Sequence, residues 1–126
     1  MDMQRILIVD DEPSIRSLYQ LEFEDSGFDV RTAADSESAL RLVRDWSPHL
    51  VVLDVRLGDE CGLDLLRRMV ELRPELRSVI VTAYAGYKDD FASWLADAFL
   101  PKSQDLGELR HTVSELLGVP QCEPVG

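Results

Sequence analysis

Cysteine, histidine and basic residues are all scarce in this chain. Its two cysteines, Cys61 and Cys122, lie far apart and match no metal-ligand spacing, so they read as reduced thiols. His49 and His111 are equally isolated and are expected to be surface or strand-edge residues, not ligands. Thirteen Lys and Arg stand against 24 Asp and Glu, a formal net charge of -11. Such a surface repels phosphate backbones, which argues against nucleic acid as a direct partner and favours soluble proteins and divalent cations. Long apolar runs are missing too. In "MDMQRILIVDDE" acids follow a very short run, so no signal peptide is read there, and no stretch is long enough to span a membrane. A cytoplasmic location is expected. Neither an internal repeat nor a low-complexity segment interrupts the chain.

What remains is a 126-residue sequence, 45% hydrophobic, that suits one domain with a sizeable core. That domain is expected over residues 1–118, with residues 119–126 as a disordered or weakly docked tail. Short apolar runs alternate with amphipathic segments. The runs at 6–9 (ILIV), 50–53 (LVVL) and 79–81 (VIV) are rich in β-branched residues and predict strands buried on both faces. Weaker strands are expected at 29–33 and 98–100, nearer the sheet edges. Between them, Ile15, Leu18, Tyr19 and Phe23 fall at helical spacing, with Pro13 opening the helix, Asp11 or Glu12 capping it and Gly27 ending it. A second helix starts at Ser36 or Ser38 and stops at Ser47 and Pro48. A third carries Leu63, Leu66 and Val70 and ends by Pro74. A short fourth is expected around Asp90 to Ala96. The fifth carries Leu106, Leu109, Val113, Leu116 and Leu117, closed by Gly118.

Five strands alternating with five helices predict an α/β protein with a doubly wound parallel sheet. Ligands of such folds sit at the carboxyl ends of the strands, where the winding reverses. Asp10 and Asp11 follow the first strand, Asp54 ends the third, Thr82 ends the fourth and Lys102 follows the fifth. Three carboxylates at one rim disfavour one another's ionisation, which a hard divalent cation such as Mg²⁺ relieves. With an ammonium and a hydroxyl beside them, the set suits phosphoryl transfer onto a carboxylate.

The stretches "LIVDDEP", "VVLDVRL", "VIVTAY" and "DAFLPKS", in this order, together resemble the receiver domain of two-component response regulators from about residue 4 to residue 118. The resemblance implies a flavodoxin-like sheet of strand order 2-1-3-4-5. It implies that Asp54 is the phosphoacceptor, fed by a sensor histidine kinase or histidine phosphotransfer protein, with an unidentified protein downstream. By the same resemblance, Asp10, Asp11, Asp54 and the backbone carbonyl of Arg56 hold Mg²⁺. Thr82 and Lys102 bind the phosphoryl group, small Ala83 leaves room for it, and Thr82 with Phe99 forms the switch. Gly62 matches a glycine that opens the third helix. The chain is then a signalling phosphoacceptor, not an enzyme on other substrates, though it supports its own phosphotransfer and slow autodephosphorylation.

Departures from the family pattern are visible. Gly58 replaces the usual proline four residues past Asp54, which predicts a looser loop. Ser103 replaces the proline after Lys102, so a trans bond is expected there. The stretch from Thr82 to Lys102 is somewhat short. Arg56 and Tyr84, large residues flanking the path of an attacking water, predict a long-lived phosphoryl group. A hydrolase of the haloacid dehalogenase type is disfavoured because its D-x-D pair is absent, the acids here being adjacent. A pseudo-receiver that only binds partners requires a broken site, whereas every site position here is filled.

Overall fold

The computed structural model describes residues 3–83, 96–102 and 106–118. The apolar run after Gln4 forms β1 (Arg5–Val9), and α1 (Pro13–Asp25), β2 (Asp29–Ala33), α2 (Ser36–Asp45) and β3 (Leu50–Leu53) follow. Next come two short strands, β4 (Arg56–Leu57) and β5 (Glu60–Cys61), then α3 (Gly62–Leu72), β6 (Arg77–Thr82), β7 (Ala98–Pro101) and α4 (Gly107–Leu117). The helix expected around Asp90 to Ala96 lies almost wholly outside the described residues, and Ala96 itself is not helical. Tyr84, Ser103, Cys122 and the residue 119–126 tail also lie outside them. So α4 is the fifth helical pattern of the sequence.

All pairings in the main sheet are parallel, in the order β2-β1-β3-β6-β7. With β6 and β7 as the fourth and fifth strands, this is the expected 2-1-3-4-5 order. Alternation along each strand divides the core. Leu7, Val9, Val51, Leu53 and Ile80 face Ala39, Leu40 and Val43 of α2 and Leu66 and Met69 of α3. Ile6, Ile8, Val52, Val79 and Val81 face Tyr19 and Phe23 of α1 and Leu109 and Val113 of α4. Strands buried on both faces need no polar alternate positions, which explains their unbroken apolar runs.

Local departures have physical causes. Leu18 was expected on the buried stripe of α1 but is 44% exposed, because Tyr19 and Phe23 fill the space against the sheet. Glu12 occupies the cap position of α1 but its side chain makes no capping bond. Its N–H donates instead to Asp10 Oδ1 at 2.9 Å, so that acid orders the turn. At α2 the cap is Asp35, whose carboxylate accepts from Ser38 N–H at 2.8 Å. Strands β4 and β5, absent from the expected elements, form an antiparallel hairpin turned by Gly58 and Asp59. Gly58 has φ +60°, which the first position of a type II′ turn requires.

Gly62 shows how tightly the loop after β3 returns. A Cβ there would lie 2.0 Å from the Asp54 carbonyl oxygen, and Gly62 N–H donates to the Val55 carbonyl at 2.6 Å. Only a residue without a side chain lets α3 begin this close to Asp54. Gly62→Ala is therefore expected to destabilise the fold by more than about 2 kcal/mol in urea unfolding. An unchanged midpoint would show that the close approach is not needed.

Candidate functional site

The parallel sheet ends its strands at one edge, and the polar residues that follow them gather there. Asp10 and Asp54 are 3% and 7% exposed, while Asp11 lies in the open. One carboxylate oxygen from each of the three lies within 4.8 Å of the other two. Asp54 is fixed at its own N–H, which donates to the Val9 carbonyl at 3.2 Å, so the first acid turn and the third strand end are tied together. Asp10 N–H donates to the Ala33 carbonyl at 3.2 Å and ties that turn to β2.

Lys102 reaches the cluster from the end of β7. Its ammonium stands 2.6 Å from Asp54 Oδ2, 3.1 Å from Asp10 Oδ2 and 3.8 Å from Glu12 Oε1. Its backbone N–H donates to the Thr82 carbonyl at 2.8 Å, which sets the start of its side chain beside β6. Thr82 is buried at the end of that strand and Ala83 is exposed just beyond it. The other Asp54 oxygen, Oδ1, accepts from Arg56 N–H at 3.2 Å, while the Arg56 side chain is exposed. Asp11 Oδ2 accepts from Gly58 N–H at 3.1 Å. Phe99 pairs with Ile80 across β6 and β7 and packs, partly buried, on the core that includes Leu53.

Asp10, Asp11, Asp54, Lys102 and the Arg56 backbone therefore meet, with Thr82 joined through its carbonyl to Lys102, and other residues join them. Glu12 faces Lys102, and the Arg16 guanidinium donates to the Asp10 carbonyl at 2.7 Å. The spacing of Arg16, one turn past the acids on α1, was the available signal. The bonds of Gly58 to Asp11 and of Glu60 to the Ser36 N–H were not signalled, since these partners are remote in sequence. His49 and His111 hold no cation-site position: Arg5 N–H donates to His49 Nδ1 at 2.9 Å, and His111 pairs with Glu115 at 2.8 Å.

Oxygen donors alone, clustered and partly dry, fit a hard cation such as Mg²⁺ and fit no soft metal. Electrostatics point the same way. Burial pushes the Asp10 carboxyl above its ordinary value of 3.8, opposed by the Glu12 N–H and the Lys102 ammonium and reinforced by Asp54. Burial alone would pull Lys102 down, yet its bonds to Asp54 and Asp10 and their charges together hold it above the ordinary 10.5.

The response regulator receiver domain model matches residues 6–114. This chain belongs to the receiver domain family. Response regulator protein PilR of Pseudomonas aeruginosa is 35% identical over 98% of the chain, which covers 28% of PilR. The chain spans between a quarter and a half of the length of four curated relatives, the shares being 28%, 25%, 26% and 45%. Response regulator TrrA of Thermotoga maritima, solved in complex with Mg(2+)-BeF, is 35% identical with a TM-score of 0.83, over 90% of this chain and 99% of that one. TrrA in complex with histidine kinase ThkA matches with 36% identity and a TM-score of 0.84, over 91% and 99% of the two chains. Family membership decides against the dehalogenase-type hydrolase. Among the described residues of this receiver domain, no helix is long and apolar enough to cross a membrane.

The signs of the two shifts predict opposite pH behaviour. Lys102, raised above 10.5, contributes stability that is complete below pH 10.5 and is lost as pH rises through its folded value. Asp10, raised above 3.8, favours the fold below that pH and weighs against the metal-free fold once ionised. The urea midpoint of the parent chain is therefore expected to fall more steeply from about pH 10 to about pH 12 than that of Lys102→Gln. Burial also raises the Tyr19 phenol above its ordinary 10.0 and the Lys102 charge opposes that rise, so the two slopes are compared in a Tyr19→Phe background. Equal slopes would show that the fold does not hold the ammonium.

Proposed function

We propose that the chain is a phosphoacceptor receiver domain in which Asp54 takes a phosphoryl group from a phosphohistidine. The observation that carries this is the Lys102 ammonium, 2.6 Å from Asp54 and 3.1 Å from Asp10, beside three carboxylates within 4.8 Å of one another. In the transfer, an Asp54 carboxylate oxygen attacks phosphorus, the phosphorus–nitrogen bond breaks, and the imidazole nitrogen leaves with the electron pair and then takes a proton from water. Asp10, Asp11, Asp54 and the backbone carbonyl of Arg56 would hold Mg²⁺, which supplies positive charge for the phosphoryl oxygens. Lys102 leaves Asp54 to pair with a phosphoryl oxygen as a point charge. Thr82 donates its hydroxyl to another, with Ala83 leaving space.

The signalling consequence follows from packing. Movement of Thr82 toward the phosphoryl group vacates room for Phe99, whose ring carries no hydroxyl that would need a partner inside. The face around β7 then differs between the two states and is read by a downstream protein. Histidine kinase as donor is supported by the TrrA–ThkA complex. A net charge of -11 makes this domain a poor direct ligand for DNA. The chain covers only 25% of the relative named DNA-binding transcriptional regulator NtrC, so that name describes NtrC as a whole. We assign the receiver unit to residues 1–118, residues 119–126 to a tail, and the chain to the cytoplasm.

Incubation with acetyl phosphate and Mg²⁺ followed by intact mass is expected to add one phosphoryl group to the parent and none to Asp54→Asn. Labelling that survives both EDTA and Asp54→Asn would overturn the assignment, and no labelling at all would favour the pseudo-receiver. Autodephosphorylation supplies a second measurement. The exposed Arg56 guanidinium can pair with phosphoryl oxygens and does not orient water as a base would. After donor removal, the phosphorylated parent is expected to outlive Arg56→Asn on a Phos-tag gel. Equal decay would leave Arg56 as an ordinary surface residue.

A further inference from the structure

The hairpin of β4 and β5 is bonded at two points to other loops of the site. At its tip, Gly58 N–H donates to Asp11 Oδ2 at 3.1 Å. At its far side, Glu60 Oε1 accepts from Ser36 N–H at 3.1 Å, 24 residues away in sequence. Ser36 is the first residue of α2, where N–H groups have no partner within the helix and a carboxylate is favoured by the helix dipole. The loop before α2 is in turn joined to the acid turn, since Asp10 N–H donates to the Ala33 carbonyl at 3.2 Å. The bonds thus run in a circuit from Asp11 to Gly58, through the hairpin to Glu60, to Ser36, back along residues 33–36 and on to Asp10.

We infer that Glu60 is a positioning residue for the cation site, acting through the Gly58 amide on the Asp11 carboxylate. The inference rests on the reading of Asp10, Asp11 and Asp54 as a Mg²⁺ site. Asp11 is the exposed acid of the three, and the Gly58 amide bonds one of its oxygens and restricts how the carboxylate turns. The usual family proline at this position could not do this, because proline has no N–H and cannot adopt φ +60°. Gly58 gives the amide but also a freer backbone, and a two-residue turn of this kind needs an external hold. Glu60 is that hold, anchored to a helix start that the core keeps still. Ser36 itself is only 7% exposed, so its N–H is a fixed point.

The test is Mg²⁺ affinity by calorimetry on the full chain, with the Gly58 amide followed by NMR. Glu60→Ala is expected to weaken Mg²⁺ binding about tenfold, the size typical of residues that orient a metal ligand. Its Gly58 amide resonance shifts and its exchange protection drops. Glu60→Gln keeps a carbonyl acceptor at the same reach and is expected to recover most of the affinity. Asp59→Ala removes the same charge from the same hairpin but no bond to α2, and is expected to bind Mg²⁺ like the parent. Ser36→Pro deletes the donor at a helix position that suits proline, after an Asp35 already extended at φ -148° and ψ 172°. It is expected to weaken binding as Glu60→Ala does, and the double variant to weaken it no further. Parent-like affinity in Glu60→Ala, or an equal loss in Asp59→Ala, would overturn the inference. A parent chain that phosphorylates Asp54 and binds Mg²⁺ normally while Glu60→Ala does the same fails only this inference. A parent that binds no Mg²⁺ fails the site reading and this inference together.

Discussion

The contact between the Lys102 ammonium and the carboxylates of Asp54 and Asp10 is the interaction around which this molecule is arranged. Three acids crowd the rim of one sheet, and two of them are removed from water, so each ionised group raises the cost of the next. Lys102 answers that cost from the opposite edge of the site, and its reach depends on β7 lying beside β6 in the observed register. Breaking the pair without replacing it leaves buried charge uncompensated. In the proposed phosphotransfer, the ammonium shifts from Asp54 as cation and phosphoryl group enter.

Around that contact the fold supplies constraint from several directions. The strands β1 and β3 carry Asp10 and Asp54 on a core closed on both faces, so their backbones have little freedom. Gly62 brings α3 hard against Asp54, and the hairpin between them turns back toward Asp11. Arg16 holds the acid turn from α1. The site is thus rigid at Asp10 and Asp54 and more open at Asp11, and the hairpin serves the open side.

Much of this was legible in the chain itself, and the rest was hidden for identifiable reasons. Strands such as 6–9 and 50–53 are readable because a parallel sheet with helices on both faces leaves no polar alternation. Asp10, Asp54, Thr82 and Lys102 were readable because strand ends of a doubly wound sheet converge. Leu18 was misread because helical spacing marks a broad stripe, and which members are buried depends on the bulk of Tyr19 and Phe23. Glu12 takes the cap position read for it, but its carboxylate bonds no first-turn N–H and stands 3.8 Å from the Lys102 ammonium instead. The hairpin escaped notice because four strand residues carry no periodicity, and what fixes it lies in Asp11 and Ser36. Gly58 predicts a looser loop in place of proline, and its amide also bonds a site acid.

A crystal structure of the chain with Mg²⁺ and beryllofluoride tests the central claim most directly. The account predicts beryllium bonded to an Asp54 oxygen, the cation among Asp10, Asp11, Asp54 and the Arg56 carbonyl, and the Lys102 ammonium moved from Asp54 onto fluorine. Beryllofluoride absent from Asp54, or Lys102 still seated on both carboxylates with the ligand bound, would contradict it.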